Sequence, residues 1–286
     1  MSTRPEAVTA ALLRGWPLPG AGGSKHSRGH VVVIGGSQST PGALALAGVA
    51  ALRVGAGVLA LAAPDTVSVA LAVSVPESSV RGFAEEAGWN DRLTDLVRAA
   101  DGILVGPGLD DPDVTTAVMR GLATAEPGST PILLDAFALG ALAADPGLRP
   151  ESDALVLSPN TSEAARLLDV AEDDVGEDPV PVAEAIARGL SAVVTYNCVI
   201  ASPELRTWQV PTGHAGLGTS GSGDVLAGAI VGLLARGCEP AQAAVWATYL
   251  HATAGDRLAP RVGRLGFLAR ELLDELPAIL TEVEAA

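Results

Sequence analysis

The chain has 286 residues, 48% of them hydrophobic, which is far too apolar for a disordered protein and long enough to bury a sizeable core. Its 33 Asp and Glu against 18 Lys and Arg leave a formal charge of −15, the wrong sign for coating nucleic acid or an anionic membrane. Aromatic residues are only 3%, which does not suit base stacking. Two cysteines, Cys198 and Cys238, make neither a disulfide framework nor a Cys-rich metal site, so a reducing cytoplasm is the expected compartment.

Residues 1–29 read as an N-terminal extension of a single domain spanning 1–286. Met1 to Gly15 lacks the charged start and unbroken apolar run of a secretory signal. Lys25, the only lysine, forms a small basic cluster with His26 and Arg28; it either meets ligand phosphates or lies on a flexible, solvated segment, and the second reading is preferred. Short β-branched runs then recur at Val31–Ile34, Gly57–Leu61, Ile103–Val105, Ile132–Leu134, Leu155–Leu157 and Val193–Thr195. Continuous apolar runs imply parallel strands covered on both faces, with Ala43–Val54 and Asp113–Thr124 among the covering helices. Pro41–Pro64 resembles a membrane span only superficially, because Arg53 and Gly55-Ala56-Gly57 interrupt it. The acidic stretch Glu172–Asp178 reads as a solvated connection. A hairpin is expected around Pro203–Val210, followed by a Gly-rich loop and three helices at about Asp224–Arg236, Pro240–Leu258 and Phe267–Leu280.

The strand ends carry distinctive residues: Gly35-Gly36-Ser37, Gly106-Pro107-Gly108, Asp135 and Asn160. Open α/β sheets bind ligands outside the carboxyl ends of their strands, so these positions are expected to line one crevice.

The loop Gly213–Asp224 holds the most chemistry. A glycine-rich loop that runs into a helix presents backbone N–H groups with no helical acceptor, and the helix dipole adds positive potential. Asp224 at the mouth of such an anion hole is out of place in a simple phosphate binder. It makes sense as the base that takes a proton from an attacking hydroxyl; its bland alternative is a helix cap. No Gly-Lys-Ser/Thr ending marks a P-loop, and the Gly35-Gly36-Ser37 turn lacks the full dinucleotide fingerprint.

Gly221-Ser222-Gly223-Asp224 followed by Val225-Leu226-Ala227-Gly228 resembles the anion-hole and base motif of the ribokinase-like superfamily, and specifically of the ADP- or ATP-dependent NAD(P)H-hydrate dehydratases. Val33-Ile34-Gly35-Gly36-Ser37, Ala50-Ala51-Leu52-Arg53, Val105-Gly106-Pro107-Gly108-Leu109 and Leu250-His251 with Ala254-Gly255-Asp256 resemble that family in order and spacing, over roughly His30 to Leu280. The resemblance implies a three-layer α/β/α fold with a mostly parallel central sheet. It implies an enzyme, a lyase, that restores NADH or NADPH from the S epimer of its hydrate by phosphorylating the ring hydroxyl and eliminating phosphate. By carry-over, Asp224 is the catalytic base, and the N–H groups of Gly221, Ser222 and Gly223 form the anion hole. Ala43, Gly108, Asn160 and Asp224 would contact the hydrated dinucleotide, while Gly223 would contact the nucleotide donor, ADP or ATP. Mg²⁺ would bridge the donor phosphates, and a homo-oligomer is expected.

Three positions depart from the family pattern. Asn160 stands where the family's substrate-contacting histidine is found, and with Glu163 it forms the Asn-x-x-Glu of the wider superfamily, in which the Glu organises Mg²⁺ through water; a helix cap is an equal reading of that pair. The family's Lys-Gly pair is absent after the sixth strand, where Thr195-Tyr196-Asn197 would offer the nucleotide backbone contacts alone. Phe137 follows Asp135 at a position often small or acidic. His214 is open between substrate contact and loop solvation, and His251 reads as a satisfied core or interface residue. The alternative function is a ribokinase-like kinase acting on a hydroxylated metabolite such as a thiazole alcohol or sugar; a regulatory nucleotide binder is a third reading.

Overall fold

The computed structural model describes residues 4–20, 22–85 and 87–285. Strand β1 (Glu6–Ala7) and helix α1 (Ala10–Gly15) precede β2 (His30–Ile34), α2 (Pro41–Arg53), β3 (Val58–Pro64), α3 (Asp65–Ser74), β4 (Ser78–Phe83) and α4 (Asp91–Arg98). There follow β5 (Gly102–Val105), α5 (Pro112–Ala125), β6 (Ile132–Leu134), α6 (Phe137–Ala144), β7 (Leu155–Leu157), α7 (Thr161–Leu168) and α8 (Pro179–Leu190). The chain closes with β8 (Val193–Tyr196), β9 (Val199–Ala201), β10 (Thr207–Gln209), α9 (Ser222–Ala235), α10 (Pro240–Arg261) and α11 (Ala269–Ala285).

All ten strands join one sheet in the order β1-β10-β9-β8-β7-β6-β5-β2-β3-β4. Every pairing from β8 through β4 is parallel, and β9 is antiparallel to both β8 and β10. The apolar runs have the physical cause expected of them. On β2, Val31 and Val33 pack into one core with α2, α9, α10 and α11, while Val32 and Ile34 pack into a second with α4 to α8. Because successive side chains point to opposite faces, a strand buried on both has no polar alternation to show. The layers are helix, sheet, helix.

α2 and α9 approach unusually closely: a Cβ at Gly228 would run into the Ala47 backbone, with Ala47 Cα only 2.7 Å away. Small residues at this crossing let α9 sit directly over the sheet centre, with its N-terminus at the carboxyl ends of β2 and β5. The Pro41–Pro64 stretch is a helix followed by a buried strand. No helix among the described residues is long and apolar enough to cross a membrane.

Three details differ from the sequence reading. The edge strand β4 was not anticipated, because Ser78-Ser79-Val80-Arg81-Gly82-Phe83 is half polar and exposes one edge. The hairpin lies earlier than expected: β9 pairs with β10 across Ser202–Arg206, and Asn197 and Cys198, both at positive φ, make the tight β8–β9 turn. The cluster Lys25, His26 and Arg28 is exposed as expected, but the segment before it is firmly packed. β1 pairs with β10, Leu13 is fully buried, and Trp16 stacks on Trp208 with ring centroids 5.7 Å apart.

Candidate active site

The β2–α2 and β5–α5 loops interlock. The Gly36 N–H donates to the Pro107 carbonyl at 2.8 Å, and Thr40 Oγ1 donates to the Gly108 carbonyl at 2.8 Å. A Cβ at Gly108 would lie 3.2 Å from Ala43 Cβ, so the two expected substrate contacts Ala43 and Gly108 are neighbours. A cavity of about 420 Å³ opens beside them, lined by Gly36, Ser37, Ser39, Leu109 and Asp110 among others. Ser37 Oγ donates to Asp110 Oδ2 at 2.7 Å and Ser39 Oγ donates to the same oxygen. These two hydroxyls hold the Asp110 carboxyl below its ordinary pKa.

Asp135, Glu163 and Asp224 form an electrostatic group at the ends of β6, β7 and the start of α9. Burial pushes the Asp135 pKa up to about 8 against the opposing hydrogen bond from Ser158, and the charges of Glu163 and Asp224 add to the rise. Burial likewise raises Asp224 to about 6. Glu163 is raised by desolvation, against the opposing hydrogen bonds from Asn160. A carboxyl whose pKa is raised toward neutrality, as that of Asp224 is, is still largely ionised at pH 7 yet a stronger base than an ordinary carboxylate, which suits it to accept a proton in the course of a reaction.

Asn160 and Glu163 make a complete capping box on α7. Asn160 Oδ1 accepts from the Glu163 N–H at 2.9 Å, and Glu163 Oε2 accepts from the Asn160 N–H at 2.9 Å. The cap reading of this pair therefore holds in the structure; it leaves the Asn160 amide nitrogen and the second Glu163 oxygen outside the box.

Helix α9 begins at Ser222, after Gly221 at φ +86°. A side chain at Gly221 would be strained by that φ and would meet Leu46 Cδ1 at 2.6 Å. The Ser222 N–H donates to the Thr219 carbonyl at 3.2 Å and the Val225 N–H to the Gly221 carbonyl at 3.2 Å. Of the three expected anion-hole donors, the Ser222 N–H is thus spoken for within the loop. Among the described residues the Gly223 and Asp224 N–H groups have no acceptor, as the first turn of a helix dictates. Gly223 is exposed and Asp224 half-buried.

On β8 the expected nucleotide residues divide. Thr195 and Tyr196 have buried side chains; Thr195 Oγ1 lies 3.2 Å from Thr248 Oγ1 and the Tyr196 hydroxyl donates to Thr161 Oγ1 at 3.4 Å. Only Asn197 has an exposed side chain, so any contact from the other two is through backbone. Phe137, at the start of α6, is 37% exposed. His214 caps the 3₁₀ turn Ala215–Gly218, its Nδ1 accepting from the Gly216 N–H at 3.0 Å.

Helix α10 supports the Gly-rich loop from below, a role not read from the sequence. Asp256 Oδ2 accepts from the Gly213 N–H at 3.2 Å, Gly255 faces Leu217, and His251 contacts Ser222. The signal was present in the order of the Leu250-His251 and Ala254-Gly255-Asp256 segments, but a loop so distant in sequence gave no indication of where they point.

With this geometry in place, comparison with known proteins is decisive. A family model described as NAD(P)H-hydrate dehydratase matches residues 31–278. The chain belongs to the NAD(P)H-hydrate dehydratase family. It is 41% identical over 285 residues to the ADP-dependent (S)-NAD(P)H-hydrate dehydratase of Xanthomonas campestris pv. campestris, covering 97% of this chain and 96% of that one. It is 32% identical to the bifunctional NAD(P)H-hydrate repair enzyme Nnr of Escherichia coli, but spans only 53% of that protein. Among solved structures it resembles the ADP/ATP-dependent NAD(P)H-hydrate dehydratase of Bacillus subtilis co-crystallized with ATP/Mg2+, with a TM-score of 0.83, 28% identity, and coverage of 98% of this chain and 99% of that one. The dehydratase fold is ribokinase-like, as expected.

Proposed function

We propose that this NAD(P)H-hydrate dehydratase restores NADH and NADPH from the S epimers of their hydrates at the expense of ADP or ATP, with Asp224 as base. The observation that carries the residue assignment is a half-buried carboxyl, pushed to about 6, in the same helical turn as unpartnered N–H groups. Hydroxide is a poor leaving group. Asp224 deprotonates the ring hydroxyl as its oxygen attacks the terminal phosphorus of the donor; the donor's bridging P–O bond breaks, and AMP or ADP departs. The ring nitrogen then supplies the electron pair that expels phosphate, leaving an iminium at that carbon, and loss of a proton from the adjacent ring carbon to solvent restores the ring C=C and the nitrogen lone pair.

The Gly223 N–H, aided by the helix dipole, faces the charge that builds on the phosphoryl oxygens. The Ser222 N–H can join only by leaving Thr219, so the anion hole reads here as the Gly221 and Gly223 N–H groups with that of Asp224, and Ser222 held in reserve. Ala43, Gly108 and the Asn160 amide would contact the hydrate, and Asn197 with the β8 backbone the nucleotide.

Among the described residues no group of three or more His, Cys, Asp or Glu converges as a metal cage. The Glu163 carboxylate oxygen outside the capping box fits a metal delivered on nucleotide phosphates, since Mg²⁺ commonly keeps its waters and binds through one or two carboxylates plus phosphate. Glu163, through water, is the residue that would help hold it; bound Mg²⁺ supplies neutralisation of donor phosphate charge.

Likeness to hydroxyethylthiazole kinase of Pyrococcus horikoshii, at 18% identity and a TM-score of 0.62, speaks for shared fold alone. The deciding assay incubates the protein with hydrated NADH, Mg²⁺ and either ADP or ATP and follows the return of reduced-nicotinamide absorbance. Recovery is expected. Nucleotide consumption only with an added thiazole alcohol or sugar would instead establish the kinase.

A further inference from the structure

His251 projects from α10 into the first turn of α9. Its Nε2 lies 3.0 Å from the Ser222 carbonyl oxygen and 2.9 Å from Ser222 Oγ, and the residue is 8% exposed. We assign the ring proton to Nε2 because a carbonyl oxygen can only accept, and Ser222 Oγ then shares the same N–H as a second acceptor. Burial pushes the imidazole pKa down to about 4, which keeps the ring neutral and limits it to that one N–H.

The Ser222 carbonyl occupies a special place in the chain, because it belongs to the peptide unit whose other end is the Gly223 N–H. That unit is planar, with its C=O and N–H pointing in opposite directions. Gripping the oxygen on the buried side therefore sets the direction of the hydrogen on the exposed side. Ser222 is buried and Gly223 exposed, with open space where a Gly223 side chain would stand. A hydrogen bond accepted by an amide oxygen also polarises the amide and strengthens its N–H as a donor.

We propose that His251 is a positioning residue: by donating from Nε2 to the Ser222 carbonyl, it aims and polarises the Gly223 N–H toward the phosphoryl group being transferred. Asp256, five residues further along α10, holds the Gly213 end of the same loop, so one helix clamps the loop at its start and its finish. The role assigned to the N–H rests on the dehydratase reading, whereas the imidazole geometry does not.

The test compares His251→Leu with His251→Gln, whose amide nitrogen reaches about as far as Nε2 and can donate. Turnover of hydrated NADH is measured with its KM, the KM for ADP or ATP, and the melting temperature. His251→Leu is expected to lower kcat by roughly 10- to 100-fold, below the full effect of deleting an oxyanion donor. Both KM values should stay within about threefold, and His251→Gln should regain most of the lost kcat. A wild-type kcat in His251→Leu, or a His251→Gln no faster than His251→Leu at equal melting temperature, would overturn the proposal.

Should the leucine variant not fold, ¹⁵N NMR of the wild-type imidazole decides. A neutral ring protonated on Nε2 between about pH 5.5 and 8 is expected, and a proton on Nδ1 or a titration within that range overturns the proposal. Wild-type protein inert toward the hydrate would remove the dehydratase reading while leaving the NMR result to stand by itself.

Discussion

Ser158 Oγ donates to Asp135 Oδ1 at 2.8 Å across the adjacent ends of β7 and β6, and this hydrogen bond does not compensate for the burial of the carboxyl it serves. Desolvation dominates, and Asp135 holds its proton to about pH 8 in the folded protein. Unfolded, it ionises near 3.9. The folded value is the higher one, so the neutral acid's contribution to stability is complete below the unfolded pKa and is lost as pH rises toward about 8. Thermal melts should show wild-type protein losing stability over that window, with Asp135→Asn, which can still accept from Ser158, losing less. A parallel decline in both proteins would show that another group is responsible.

Asp224→Asn should abolish the base while keeping the side chain's size. Turnover is expected to fall by about 10²- to 10⁴-fold, with nucleotide affinity, read by isothermal titration, unchanged within a few fold. Near-normal turnover in this variant would remove Asp224 as base.

The Asp224 carboxyl at about 6 sets an acidic limb on the rate. Since the base works ionised, kcat/KM should be level above that pH and fall tenfold per unit below it. A pH–rate profile of the wild-type enzyme checks this, and a limb near pH 4 would mean that the carboxyl is solvated when it acts.

Asn160 has two separable duties. Asn160→Ala removes the cap and should cost about 1 kcal/mol of stability, seen as a lowered melting temperature. Asn160→Ser retains a capping oxygen and so most of that stability, yet loses the amide and should raise the KM for the hydrate. An unchanged KM in the serine variant would confine Asn160 to capping.

The N-terminal segment contributes to the core through Leu13, buried completely. Leu13→Ala should destabilise the protein by about 2–5 kcal/mol, measured by urea denaturation. A shift under about 0.5 kcal/mol, the range of ordinary surface substitutions, would show that this segment docks without supporting the fold.

The central strands could be read from sequence because burial on both faces leaves an uninterrupted apolar run, as at Val31–Ile34, that few other environments permit. β4 could not, since an edge strand with Ser78, Ser79 and Arg81 has the composition of a loop. The packed N-terminus was likewise hidden. Trp16 is interpretable only once Trp208, nearly two hundred residues away, is brought against it.

At the site, glycine spacing and the acid that follows it singled out Gly221 to Asp224 as the proposed anion hole and base, because a backbone that would admit a phosphate and a base that would face it are both matters of adjacent residues. The order of motifs along the chain identified the family for the same reason. Tertiary structure alone decided how those residues are tuned. Burial raises Asp224 and Asp135, the Ser222 N–H is engaged by Thr219, and His251 grips the peptide that carries the Gly223 N–H. Desolvation and hydrogen-bond direction depend on what surrounds a group in space, and those surroundings come from helices and strands far apart in the chain.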